Sequence, residues 1–95
     1  MEIWKYDIPV EDMFMLDLPE NAKILTVQTQ HLKPVLWCLV DPKKQMKTRC
    51  FRLAGTGHLI TQEEGDLKYI GTFQIRDGAL IFHLFEIVNT HEHNT

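Results

Sequence analysis

The stretch that most limits how this chain can fold is Lys68 to Ile87, KYIGTFQIRDGALIFHLFEI. Its apolar and β-branched residues lie on either side of Asp77-Gly78, a dipeptide that suits the two φ > 0 positions of a tight hairpin turn. Pairing outward from that turn sets Arg76 opposite Ala79, Ile75 opposite Leu80, Phe73 opposite Phe82 and Gly71 opposite Leu84. Ile75, Phe73 and Gly71 share one face of the hairpin with Leu80, Phe82 and Leu84, and that apolar face is the expected core. The other face is mixed, with Thr72 across from His83, Gln74 across from Ile81 and Ile70 across from Phe85. A mixed second face is where a ligand or partner can sit.

The rest of the chain repeats the pattern in shorter pieces. Glu2 to Pro9 puts Trp4, Tyr6 and Ile8 on one side, and Pro9 ends the strand because it cannot donate to a ladder. Met13 to Leu18 alternates in the same way and is closed by Pro19. Lys23 to Thr29 and Pro34 to Asp41 form a second hairpin around His31-Leu32. Neither residue favours φ > 0, which predicts a four-residue loop rather than a tight turn. A lysine-rich loop, Pro42 to Met46, then leads into a strand from Lys47 to Ala54. A symmetric hairpin there sets Val40 opposite Thr48, Leu36 opposite Arg52 and Cys38 opposite Cys50, with the two cysteine Cα atoms about 4.5–5.5 Å apart. Gly55 to Ile60 reads as a flexible connector, Thr61 to Asp66 as an exposed acidic turn, and 89–95 as a frayed polar tail.

Both sides of the middle strands are apolar. Val35, Trp37, Leu39, Phe51 and Leu53 point one way, and Leu25, Val27, Leu36, Cys38, Val40 and Ala54 the other, with Arg52 among them. No amphipathic helix is present to cover the second side. The expected fold is a mainly β single domain over 1–88, a small antiparallel β-sandwich or open barrel of about six or seven strands built from hairpins. Its surplus apolar surface predicts a homo-oligomer, unless the first and last strands fold over to supply the cover. There is no run of about 18 apolar residues to span a membrane, and the N-terminal segment lacks the basic and apolar regions of a signal peptide, so a cytoplasmic setting with reduced cysteines is expected.

A net charge of −3 argues against binding long nucleic acid. The charge is uneven, however: between Lys33 and Arg52 six basic residues, including Lys43, Lys44 and Arg49, stand against the single acid Asp41. That window suits a phosphate-bearing small molecule or an acidic protein surface, or simply a solvated hairpin tip. Within it begins Arg52-Leu-Ala-Gly-Thr-Gly-His58. Gly55 and Gly57 let backbone N–H groups approach an anion, Thr56 offers a hydroxyl, His58 a titratable donor and Arg52 a bidentate clamp. The bland reading is a glycine bend at a sheet corner. Arg49, Arg52 and Trp37 fall on adjacent predicted strands and could frame a planar base, although Trp37 also suits a core. His83 with Thr72 and Gln74 forms a polar cluster that a structural role also explains. His91-Glu92-His93 has the residue types of a metal site but lacks a fourth ligand, and no metal or cofactor is expected. None of GxSxG, HExxH or a P-loop occurs, and Cys38 and Cys50 sit in apolar strands, so no enzyme is expected.

Trp4-Lys5-Tyr6 with Pro9, Leu18-Pro19-Glu20-Asn21-Ala22-Lys23-Ile24-Leu25, Val35-Leu36-Trp37-Cys38-Leu39-Val40-Asp41-Pro42, Phe51-Arg52-Leu53-Ala54-Gly55-Thr56-Gly57-His58 and Tyr69-Ile70-Gly71-Thr72 together form a pattern. It resembles a family of short, uncharacterised proteins of tailed bacteriophages and prophages. The resemblance covers nearly the whole chain and brings no catalytic residues with it. The His31-Leu32 turn departs from the Asn-Gly type of pair expected there. What the resemblance implies is a phage accessory protein in the bacterial host cell, one that acts, in a counter-defence role, by occupying something. Three readings follow: a non-enzymatic binder sequestering an anionic nucleotide-like host signal, an inhibitor of a host defence or regulatory enzyme, and a small enzyme cleaving a phosphodiester or glycosidic bond through His58 or His83.

Overall fold

Period-two alternation drives the chain into strands, and in the computed structural model, which describes residues 1–88, seven form. They are β1 (Glu2–Asp7), β2 (Met13–Pro19), β3 (Lys23–Gln30), β4 (Lys33–Val40), β5 (Met46–Gly55), β6 (Leu67–Ile75) and β7 (Leu80–Ile87). They build two antiparallel sheets, a three-stranded one in the order β1-β4-β3 and a four-stranded one in the order β2-β5-β7-β6. The architecture is a β-sandwich, not a closed barrel. The expectations for 89–95, including His91-Glu92-His93, lie outside the described residues.

The β6–β7 hairpin follows its sequence. Asp77 and Gly78 have φ of 53° and 88°, and the Ala79 N–H donates to the Arg76 carbonyl at 3.0 Å. The ladder sets Ile75 against Leu80, Phe73 against Phe82 and Thr72 against His83. One pairing differs: Tyr69, rather than Ile70, faces Phe85, because a bulge between Tyr69 and Gly71 inserts a residue. Gly71 sits where β6 meets β3, and a Cβ there would lie 2.8 Å from a Val27 methyl. The β3–β4 turn also differs. His31 and Leu32 take φ of 52° and 69° in a two-residue turn closed by the Gln30–Lys33 pair, not the four-residue loop their side chains suggest. The left-handed backbone costs about 1–2 kcal/mol per residue, and the register of two packed strands, with Val27 against Leu36, outweighs it.

The larger correction concerns β4 and β5, which do not form a hairpin. β4 is flanked by β1 and β3, and β5 by β2 and β7, so the chain crosses between sheets through the turn after Val40. Asp41 shapes that turn, its carboxylate accepting from the Lys43 N–H and its carbonyl from the Lys44 N–H. Cys38 therefore pairs with Trp4 and Ile24, and Cys50 with Met15 and Ile87. The reason is burial. A hairpin would lay apolar Leu36 and Val40 beside Arg52 and Thr48, whereas stacking the sheets sets Leu36, Cys38 and Val40 in one core with Phe51, Leu53 and Leu84. Phe51 and Leu53 thus share the inner side with Leu36 rather than with Trp37. Phe14 stacks on Phe51 at 5.2 Å between ring centroids, and Phe73 packs against Phe82.

The outer side of β4 is less bare than its sequence implies. Val35 is only 2 % exposed, and the Lys5 ammonium donates to the Gln30 side-chain carbonyl at 2.8 Å from the flanking strands, so the lysine stem crosses over β4. Trp37 and Leu39 remain half-buried and Ile3 exposed. A neighbouring copy is therefore not required to shield Leu36, which the chain's own second sheet covers. The acidic turn is also less exposed than expected: Glu64–Asp66 is a single 3₁₀ turn, Asp66 is buried, and its carbonyl accepts from the Val88 N–H. At the core wall the Tyr6 hydroxyl is buried with no hydrogen-bond partner among the described residues, and burial, reinforced by the nearby Cys38 thiol, raises its pKa.

Burial pushes the Cys38 thiol up to about 11, while Cys50 on the other sheet is half-buried. A thiol-specific colorimetric reagent at neutral pH should titrate Cys50 first and Cys38 only once urea unfolds the chain. Equal rates for both in the native protein, or their ready oxidation to an intramolecular disulfide, would contradict this placement.

Candidate functional site

β5 carries most of the side chains that the sequence singles out, and its extended geometry decides which can meet. Six residues separate Arg49 from Gly55, about 20 Å at the strand rise of about 3.3 Å per residue, so the two ends of β5 cannot serve one small ligand. Trp37 lies on the other sheet and pairs with Lys5 and Thr26. It does not frame a base with Arg49 and Arg52. The basic window is likewise dispersed, since Lys33 stands at the far end of β4 from Lys43 and Lys44.

Arg52 folds back onto main chain. Its Nη1 donates to the carbonyls of Asp12 and Leu53 at 3.0 and 2.9 Å, and its Nη2 to that of Leu59 at 2.8 Å. The side chain is 9 % exposed. It ties the β1–β2 loop and the β5–β6 connection across the outer side of the four-stranded sheet, with Gln62 reaching the Met13 sulfur at 3.7 Å. A connector read as flexible is thus pinned, and the guanidinium read as an anion clamp is occupied.

At the same end of β5 two clusters that look separate in sequence become one. His83 on β7 bonds through Nε2 to the Thr56 hydroxyl at 2.8 Å and through Nδ1 to the Thr72 hydroxyl at 2.9 Å. Thr72 in turn meets the Tyr69 hydroxyl at 2.5 Å. Gln74, expected in this cluster, is not in the row; its main-chain carbonyl accepts from the Thr29 hydroxyl. A neutral imidazole has one donor and one acceptor nitrogen, so the two threonines play opposite parts. In one polarity Tyr69 donates to Thr72, Thr72 donates to Nδ1 and the Nε2–H donates to Thr56, which leaves the Thr56 proton free to point outward. An anionic oxygen over Thr56 selects that polarity. Beside it Gly57, at φ 89°, has an N–H with no partner among the described residues. The His58 ring packs on Gly55, where a Cβ would lie 2.8 Å from it. Gly55, Thr56, His58 and Ala79–Phe82 line a pocket of about 230 Å³.

At the other end of β5, Arg49 faces the gap between the sheets. Its Nε and Nη2 donate to the two oxygens of Glu86 at 2.7 Å each, and its Nη1 to the Ala22 carbonyl at 2.6 Å. The hydrogen bonds to Glu86 raise the already high pKa of Arg49. Glu86 is the functional-looking residue that sequence reading missed. Its neighbour Phe85 was placed on the mixed face, and simple alternation would have set Glu86 on the inner one. Among the described residues no group of three His, Cys, Asp or Glu could hold a metal, and no helix is long and apolar enough to cross a membrane.

Fold and surface together define a two-sheet antiparallel sandwich that carries an exposed, pre-ordered row of hydroxyls around one imidazole. Residues 1–95 match the model of a family described as Domain of unknown function (DUF7352), and the chain belongs to that family. No curated protein and no solved structure matches it.

The two arginines should fail differently when replaced. Arg49→Ala leaves the Glu86 carboxylate unpaired at 10 % exposure, and should cost about 3 kcal/mol in urea unfolding, the lower end for such pairs. The double variant Arg49→Met/Glu86→Leu should recover much of that loss, and a loss as large as the single variant's would refute the pairing argument. Arg52→Ala should open the Thr56–Gln62 connection to limited proteolysis at much lower protease than the wild type needs. An unchanged cleavage pattern would show that other contacts hold the connection.

Proposed function

We propose that this chain is a non-enzymatic binding module that captures a small anionic, nucleotide-like molecule at the Thr56 end of the four-stranded sheet. The supporting observation is the Tyr69–Thr72–His83–Thr56 row itself. Buried polar groups must pair to keep the fold, but these groups are largely exposed and water would satisfy them, so folding alone does not demand that they be linked. Ordered donors at a surface serve recognition. The Thr56 hydroxyl and the Gly57 N–H offer donors to a phosphate, with His58 beside them. Tyr69, 58 % exposed and braced edge-on by Phe85 at 5.6 Å, supplies the aromatic surface first sought in Trp37.

The pocket of about 230 Å³ is smaller than the roughly 300–1,000 Å³ of sites that enclose a whole ligand. It takes part of the molecule, and the rest lies on the open face. Nanomolar capture requires about −12 kcal/mol, and charge-assisted hydrogen bonds contribute about 1.5–3 kcal/mol each. Stacking and closure by a second copy of the chain supply the remainder in this reading, which keeps self-association within the proposal. The resemblance to phage and prophage proteins supports a role inside the bacterial host, as a sink for a host signal. Binding is favoured over turnover because the groups holding His83 are two threonines, whereas a hydrolytic imidazole is oriented by a carboxylate.

Titration calorimetry against a panel of cyclic dinucleotides and ADP-ribose derivatives tests the reading, with light scattering on the same samples. At least one compound should bind without being consumed, and Thr56→Val and Tyr69→Ala should each weaken it about tenfold or more, the loss of a charge-assisted hydrogen bond or a stacked ring. Heat from none of them, or unchanged affinity in both variants, would remove the proposal.

A further inference from the structure

The end of the sandwich opposite the Thr56 row holds a second arrangement of donors. There the gap between the sheets opens into a cleft of about 700 Å³, lined by Glu20, Asn21, Lys47, Arg49, Lys68 and Glu86 among others. A recess of about 290 Å³ shares Arg49, Lys68 and Glu86 with it and adds Lys23. Four cations thus stand against two carboxylates, and one of those carboxylates is already committed to Arg49.

The hydrogen-bond inventory shows what is left over. A guanidinium has five N–H donors. Glu86 takes those on Nε and Nη2, and the Ala22 carbonyl takes one on Nη1, so one N–H on each terminal nitrogen is unused. Lys47 and Lys68 have no hydrogen-bond or ion-pair partner among the described residues, and both are exposed. Glu86 and the Ala22 carbonyl hold the guanidinium in place, so a ligand meets a fixed donor pair and loses little entropy in ordering it.

We propose that this cleft is a binding site for a tetrahedral oxyanion, inorganic phosphate or a phosphomonoester, held by the two spare N–H groups of Arg49 and by the ammonium groups of Lys47 and Lys68. A carboxylate offers two oxygens in one plane, and Glu86 already fills that role on the Arg49 fork. Donors on two terminal nitrogens and on lysines of separate strands, β5 and β6, all lining one cleft, suit three oxygens that are not coplanar. The site does not rest on the reading of the Thr56 row: Thr56 itself lies at the other end of β5, and of the row only Tyr69 also lines the smaller recess.

The test is a titration of the full-length chain with inorganic phosphate at constant ionic strength, followed by thermal midpoint and by phosphorus NMR, with a sugar phosphate in a parallel arm. Phosphate should raise the midpoint saturably. Lys47→Glu/Lys68→Glu should weaken the apparent affinity at least tenfold with the far-ultraviolet spectrum unchanged, and Thr56→Val and His83→Gln should leave it within twofold. Tighter binding in the sugar-phosphate arm identifies a phosphomonoester as the occupant, and equal binding identifies the free ion. The proposal fails if chloride at matched ionic strength produces the same shift or if the double lysine variant retains affinity. It also fails if the Thr56 and His83 variants abolish the effect, which would move the ion to the other end, or if an unphosphorylated acidic peptide competes as well as phosphate, which would make the cleft a protein-docking surface.

Discussion

The burial of one sheet's inner side against the other's is the constraint on which the rest of this molecule depends. Leu36, Cys38 and Val40 of β4 and Phe51, Leu53 and Leu84 of the facing sheet lose essentially all their contact with water. A fully buried aliphatic or aromatic side chain contributes about 1.5–3 kcal/mol, which exceeds the about 0.5–1.5 kcal/mol of a neutral hydrogen bond, and the six act together. That preference sends β4 and β5 to different layers, forces the crossing after Val40, and makes β5 the central scaffold of the four-stranded sheet. Strained details follow from it, including the left-handed His31 and Leu32, which the registers on either side impose.

With β5 fixed, its two arginines point to opposite sides and do different structural work. Arg49 faces inward and closes the open end of the sandwich by holding Glu86 of β7 and the backbone of the β2–β3 connection. Arg52 faces outward and gathers three carbonyls, two of them from loops, one 40 and one 7 positions away along the chain. The carbonyls replace the hydration lost at 9 % exposure, and the exposed Asp12 carboxylate, 3.8 Å from Nη1, is the one opposite charge beside it among the described residues. The backbone of the Thr56 loop owes its order to the second of these arginines, so an apparent anion clamp turns out to build the platform on which the polar row stands.

Much of this was legible in the residues. Alternation located every strand to within a residue or two, Asp77-Gly78 fixed the last hairpin, and Thr72 was rightly set across from His83. What could not be read was which strands become neighbours. Period-two patterning tells which side chains share a face but is silent on whether two apolar faces meet by pairing edge to edge or by stacking, and the symmetric β4–β5 hairpin chose the wrong one. The candidate site suffered for the same reason. Arg49, Arg52 and Trp37 look adjacent in sequence-derived pairing, and only the three-dimensional path separates them. The link from Thr56 to His83 spans 27 positions, and no local pattern announces it. The bulge at Ile70 is similar in kind, because it answers to the approach of Val27 from the other sheet.

One detail of the core wall bears on how this fold can tolerate change. The phenol oxygen of Tyr6 is shut away from water with no hydrogen-bond partner among the described residues, and stranding a hydroxyl in this way costs about 1–3 kcal/mol. A side chain of the same shape without the hydroxyl, such as phenylalanine, would release that penalty. Tyr6 is thus a position where the sandwich can gain stability and so offset destabilising changes on the strands and the loop that carry the polar row and the lysines.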